Sequence, residues 1–173
     1  RRRASAWAKA SRRCSSARRD RRAVAGRDLV AVLSELLSEH GMSDVIEGLR
    51  DLARRGQLEF TGSGKYHPIL PLIPPEEMTR QIELNRQANE CFFYDYYRPK
   101  GFFSPEMCYS REIVKPVVET GHQWIILSGV ACPVGWPTRV IHRIAHNDKT
   151  LWVFFRDDIL SNKISFQSVD GRG

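Results

Sequence analysis

The chain is 173 residues long, 42% hydrophobic, and carries a formal net charge of +7. That length supports one ordinary domain with a buried core, and no apolar run reaches the roughly 20 residues a membrane-spanning helix needs. The charge is lopsided: residues 1–27 hold ten Arg and one Lys against one Asp, which leaves the rest of the chain mildly acidic at −3.

No apolar core follows the first arginines, so the start does not read as a secretory signal, and a cytoplasmic location is expected. Residues 1–27 contain a single aromatic, Trp7, and no zinc-ligand spacing. They read as a basic, disordered tail, and no nucleic-acid partner is expected from them. The cysteines at 14, 91, 108 and 132 include no CxxC pair. That argues against both a disulfide framework and a zinc site.

From residue 28 the elements come in a regular order. "DLVAVLSELLSEHG" (28–41) places its apolar residues on one helical face and stops at Gly41. "SDVIEGLRDLARRG" (43–56) repeats the design, with Ser43 as N-cap and Gly56 as stop. "QLEFTG" (57–62) alternates like a strand, and a proline-rich loop follows. "EEMTRQIELNRQANECFF" (76–93) predicts a helix with Met78, Ile82 and the Phe92 region turned inward. "SREIVKPVVETG" (110–121) is helical at its start, with Pro116 expected to kink or shorten it. "HQWIILSG" (122–129) reads as a buried parallel strand. "TRVIHRIAH" and "TLWVFFRD" read as two strands joined by an Asn-Asp turn, and a helix opens near residue 158. This rhythm predicts an α/β fold with a parallel sheet.

In such folds functional groups collect where parallel strands end. Glu59, His67, Glu106 and Asp157 meet that description. Each also has a plainer reading. Glu59 could be the solvent side of an edge strand, and His67 a loop residue bonded to a carbonyl. Asp157 could be the salt-bridge partner of Arg156, and Asp158 the N-cap of the last helix. Glu106 could be a first-turn carboxylate after Pro105. His142 and His146 are four apart in "HRIAH", a metal-ligand spacing on a helix, but the flanking Val and Ile favour a strand, which would hold them about 13 Å apart. No metal site is expected.

Four blocks in sequence, "GQLEFTGSGKYHPILPLIP", "GFFSPEMCYS", "GHQWIILSG" and "FFRDDILSNKISF", resemble glycoside hydrolase family 57. The likeness covers about residues 43–170. It implies an incomplete (β/α)7 barrel of TIM-like type and retaining action on α-glucans, by hydrolysis or by transfer, without metal or organic cofactor. It implies that Glu106 is the nucleophile and that Glu59, His67 and Asp157 line the substrate site; on the same rim Trp124, Tyr66 and Tyr109 are candidate stacking surfaces for a glucan, with Trp124 expected to bind substrate. Two features of the family are missing. The His-Gln-Pro block of the first strand does not precede residue 28, and the acid/base Asp is expected beyond residue 173. Residues 28–173 are therefore expected to form a partial catalytic barrel, weakly active or inactive alone. The alternatives are a carbohydrate-binding fragment without turnover and a metal-dependent, polysaccharide deacetylase-like barrel. The oligomeric state is left open.

Overall fold

The computed structural model describes residues 25–166, and of Ala25–Asp28 and Phe166 the backbone alone. Most of the expected basic tail therefore lies outside the described residues. Strand β1 (Ala25–Asp28) is the first described element and starts three residues before the boundary expected from composition. It pairs in parallel with β2 (Leu58–Gly62), from Ala25 opposite Leu58 to Asp28 opposite Thr61. The first helix, α1 (Ala31–Glu39), starts after this strand rather than at residue 28.

Helices α1 and α2 (Ser43–Arg54) both end where the sequence places glycine. Gly41 and Gly56 take φ of +69° and +67°. The amides that follow reach back to Leu37 and Leu52 at 2.8 and 2.9 Å, which satisfies carbonyls the helices would otherwise leave open. Ser43 is the first helical residue, not the N-cap; Met42 holds that place, with no side-chain cap.

Helix α3 (Pro75–Phe93) opens on Pro75 with Glu76 and Glu77 in its first turn, an arrangement that suits both the missing N–H and the helix dipole. Its buried stripe is Met78, Gln81, Ile82, Asn85, Asn89 and Phe93. Half of that stripe is polar, which apolar periodicity could not reveal. The polar residues are paired. Asn85 Oδ1 accepts the Ala31 amide at 2.7 Å, capping α1 from another element. Asn85 Nδ2 donates to the Tyr97 hydroxyl at 3.0 Å. Asn89 accepts from Ser34 Oγ at 2.9 Å and donates to the Leu29 carbonyl at 2.9 Å. Truncating Asn89 strands a buried hydroxyl and a carbonyl together. Asn89→Ala is expected to cost about 2 kcal/mol, read as a lower urea midpoint at unchanged slope.

The remaining strands are β3 (Gly101–Phe103), β4 (Trp124–Leu127), β5 (His142–His146) and β6 (Lys149–Phe155). Sheet order is β1-β2-β3-β4-β6-β5, parallel throughout except for β5, which runs antiparallel to β6. The Asn-Asp turn is as expected, with Asn147 at φ 53°. It makes β5–β6 a hairpin and so imposes an antiparallel pair, the only one among the described strands, on a fold read as parallel. Helix α4 (Val114–Glu119) is short and holds Pro116 in its first turn, where the absent N–H has no partner within the helix. The segment before it, Arg111–Ile113, is a separate 3-10 turn, so the helix is delayed rather than kinked. Helix α5 (Asp158–Phe166) closes the described chain. No helix of the described residues is long and apolar enough to cross a membrane.

One face of the sheet carries the core. Phe102, Ile125, Leu127, Leu151 and Val153 pack with Met78, Ile82, Ile113 and Val117. Leu58 and Phe60 pack with Leu29, Ile46, Phe93 and Tyr97. Alternation turns Glu59, Phe103, Trp124, Ile126, Trp152 and Phe154 to the opposite face. Trp152 and Phe154 remain 46% and 38% exposed there. That face corresponds to the inside of a barrel, and the described strands leave it open.

Candidate active site

The C-terminal ends of β2 and β3 build the site. After β2, Ser63 is fully buried and its Oγ donates to the Phe103 carbonyl at 3.0 Å, tying the loop to the end of β3. Lys65 Nζ meets Glu35 Oε1 at 2.7 Å, and this partner holds the lysine above its ordinary pKa. Gln81 of α3 takes the Lys65 amide on its carbonyl at 3.1 Å and the Tyr66 amide on Oε1 at 3.2 Å. A turn closed by the His67 amide on the Gly64 carbonyl then presents His67 at φ 54°. These bonds fix the backbone up to His67 and none of them uses its imidazole, which is left 41% exposed at the mouth.

After β3, buried Ser104 starts a tight turn. Its carbonyl accepts the Met107 amide at 2.7 Å, and its Oγ donates to the Cys108 carbonyl at 2.7 Å. Glu106 and Met107 sit inside this turn at φ 54° and 51°. Left-handed backbone at two consecutive non-glycine residues is costly, and surroundings must enforce it. Glu106 is not a first-turn carboxylate of a longer helix, because its own φ breaks the turn. Its side chain is 67% exposed, and Oε1 lies 3.2 Å from His67 Nε2. A carboxylate accepts, so Nε2 carries the proton in this contact. The pairing of residues 67 and 106 could not be read from the sequence; the register of β2 on β3 creates it.

The other candidates lie elsewhere. Glu59 is exposed on the open face, but it pairs with Gly26, near the start of β2. Ser63 marks the level of the mouth, so Glu59 sits four residues lower, about 13 Å along the strand. Trp124 opens β4 opposite Gly101, also at the low end. It lies across that glycine so closely that a Cβ there would come within 2.1 Å of the indole, and it meets Phe154 edge-on at 5.9 Å. The structure thus brings His67 and Glu106 together and leaves Glu59 and Trp124 below them. Tyr66 is exposed at the mouth with Lys65 over its ring, while Tyr109 packs against the core.

Asp157 and Asp158 follow β6 and exchange the roles expected of them. Asp157 Oδ1 accepts the Leu160 amide at 2.9 Å, so Asp157 is the N-cap of α5. Asp158 turns inward and ties two strand ends together. It accepts from Arg156 Nε at 2.6 Å, from Ser128 Oγ at 2.9 Å and from the Val130 amide at 3.2 Å. Burial opposes its charge, and the Arg156 and Ser128 donors outweigh burial and hold its pKa below the usual carboxylate value. Gly129 has no room for a side chain under this clamp, since a Cβ would stand 2.8 Å from the Arg156 carbonyl.

His142 and His146 lie on strand β5 and not on a helix. His142 bonds the Pro137 carbonyl at 2.7 Å and stacks on Trp136. Among the described residues no group of three or more His, Cys, Asp or Glu side chains is placed to hold a metal ion.

Comparison with known proteins gives a consistent set of likenesses. The sequence profile of Glycosyl hydrolase family 57 matches residues 20–171. The chain is 34% identical over 92 residues to alpha-amylase 1 of Dictyoglomus thermophilum, covering 51% of this chain and 13% of that protein. It is 34% identical over 89 residues to a 4-alpha-glucanotransferase of Thermococcus litoralis, again 51% of this chain and 13% of the other. The crystal structure of the Thermococcus litoralis 4-alpha-glucanotransferase superposes with a TM-score of 0.71 at 25% identity, over 84% of this chain and 23% of that one. The matched region is thus a small part of each relative's length.

Proposed function

Because the chain belongs to glycosyl hydrolase family 57, we propose that it carries the nucleophile-bearing part of a retaining site for α-glucans, serving hydrolysis or transfer. The observation that supports this most directly is Glu106. It is a solvent-accessible carboxylate on a strained turn at the end of a parallel strand, with one oxygen held by His67.

In this reading Glu106 attacks the anomeric carbon with the oxygen His67 does not hold. The bond from that carbon to the leaving oxygen breaks, and the sugar becomes an ester of Glu106. Water or a hydroxyl of a second glucan then displaces Glu106, restoring the α configuration. The leaving oxygen needs a proton, and a retaining site places its donor carboxyl about 5–5.5 Å from the nucleophile. The carboxylates after β6 stand two strands from β3, about 10 Å away by strand spacing, and one caps a helix while the other is a clamp. Neither of these two carboxylates is placed as that donor, so glucan turnover resting on them is expected to be weak or absent.

That reading separates the two halves of catalysis experimentally. Fluoride leaves without protonation, so α-maltosyl fluoride tests the nucleophile alone. The chain is expected to release fluoride from it while cleaving maltoheptaose at least about 10²-fold more slowly, the deficit expected when neither Asp157 nor Asp158 protonates the leaving oxygen. Maltoheptaose binding with no fluoride release would favour the non-catalytic, carbohydrate-binding alternative.

A further inference from the structure

The core face of the sheet holds a cavity that the chemistry of Glu106 does not use. It has a volume of about 210 Å³ and lies on the side of the sheet away from Glu59 and Trp124. Leu127, Val153 and Phe155 form its floor, and Tyr109, Trp136 and His142 its walls. His142 pairs with Val153 and therefore shares its face. Tyr109 comes from the segment after β3. Trp136 comes from the loop after β4, where its amide closes a turn on the Pro133 carbonyl at 3.0 Å. Trp136 stacks on His142 with ring centroids 5.4 Å apart, and Phe155 meets the same imidazole edge-on at 5.3 Å. The walls hold one another, so the cavity keeps its shape without ligand.

Two polar groups in this apolar setting lack partners among the described residues. His142 Nε2 lies 2.7 Å from the Pro137 carbonyl, which can only accept. Nε2 therefore carries the proton, and Nδ1 of the neutral ring is left as an open acceptor. The Tyr109 hydroxyl makes no hydrogen bond, and burial holds it above its ordinary pKa, so it remains a donor. We infer that the cavity is a binding site for a small phenol, a single aromatic ring bearing a hydroxyl. Volume sets the size: a cavity of about 150 Å³ holds benzene, so this one has room for a ring and its substituents. The walls offer the face and edge contacts that aromatic rings favour. A phenolic hydroxyl can accept from Tyr109 and donate to His142 Nδ1, whereas a hydrocarbon leaves both unpaired. A glucose unit would bury more hydroxyls than these two groups can pair, which sets the cavity apart from any glucan site. The inference does not depend on the role of Glu106, which projects from the mouth and not into the core face.

The test is amide chemical-shift mapping of the 173-residue chain titrated with p-cresol, with toluene as the control that lacks the hydroxyl. Perturbed amides at 109, 131, 136, 142 and 153–155 are expected. p-Cresol is expected to bind about tenfold more tightly than toluene, as for a hydrogen bond made to groups otherwise left open. Tyr109→Phe keeps the ring and removes the donor; it should weaken p-cresol about fivefold and leave toluene unchanged. Ala131→Leu puts bulk into the cavity lining and should abolish both responses while amide shifts away from the cavity stay in place. Equal affinity for p-cresol and toluene would overturn the phenol assignment, and so would an equal loss of both ligands in Tyr109→Phe. Shifts confined to 124, 152 and 154 would put the ligand on the open face and overturn the site, as would no response at millimolar p-cresol. Displacement of p-cresol by maltoheptaose would merge the cavity with the glucan site and overturn the assignment as well.

Discussion

Glu106→Gln is expected to slow fluoride release from α-maltosyl fluoride by at least about 10³-fold, roughly 4 kcal/mol of barrier. The amide is nearly isosteric, so the turn from Ser104 to Cys108, held by the Ser104 hydroxyl and carbonyl, should survive. What is lost is the nucleophile, and with it the covalent step. Mass spectrometry offers a second readout. A fluorosugar that forms the ester but releases it slowly should label the peptide containing Glu106 in the parent and not in the variant. Parent-like fluoride release by Glu106→Gln would remove Glu106 from the chemistry. His67→Ala gives a graded companion. His67 acts through Glu106, so kcat should fall about tenfold, in line with one misplaced carboxylate oxygen, while KM changes little. A fall in stability with kcat unchanged would reduce His67 to a structural role.

The second large effect concerns pH and His122. This imidazole is buried over Gly62 of β2, edge-on to Phe102 of the paired strand β3 at 5.1 Å. Nδ1 lies 3.3 Å from the Val117 carbonyl and 3.0 Å from Thr120 Oγ1, while Nε2 is buried without a partner. Nε2 points at Gly62, where a Cβ would approach it to 2.1 Å. Burial lowers the pKa to about 4, only partly opposed by the Val117 carbonyl and by Glu83. The unfolded chain takes up a proton near pH 6.5, and the folded chain resists until about pH 4. Across that window the unfolded state binds more protons, so stability is full above it and falls as the pH drops through it. The loss is roughly 3 kcal/mol. Urea unfolding at pH 7 and pH 4.5 should show about 2 kcal/mol of this difference in the parent. His122→Asn, which cannot titrate, should lack that part of it and keep the part due to carboxylates. Equal pH dependence in the two proteins would refute the assignment. Gly62→Ala should lower stability at every pH, because the ring cannot retreat without disturbing Phe102.

Much of the helix layer was legible from residues alone. Gly41 and Gly56 stop α1 and α2 through their own left-handed backbone, a property of glycine and not of its neighbours. "TLWVFFRD" read as a strand from its own residues, and the structure adds that alternate positions, Leu151 and Val153, are the buried ones. Asn85 and Asn89 were invisible in that reading, because polar residues on an inward stripe become sensible only when Ala31, Ser34 and Tyr97 arrive to pair with them. β1 was hidden by composition, since "AGRD" has no apolar alternation and is held as a strand by pairing with β2.

For the site, the order of residues determined which side chains could stand near strand ends. It also supplied the turn-prone chemistry around Ser104-Pro105-Glu106 and Tyr66-His67-Pro68, since backbone preference is local and travels with the chain. The tertiary structure alone decided that His67 meets Glu106, 39 positions away, that Glu59 and Trp124 fall low on the open face, and that Asp157 caps a helix while Asp158 joins two strand ends. Those outcomes depend on register and on which elements pack together, and a shift of one residue in pairing would send each side chain to the other face of the sheet.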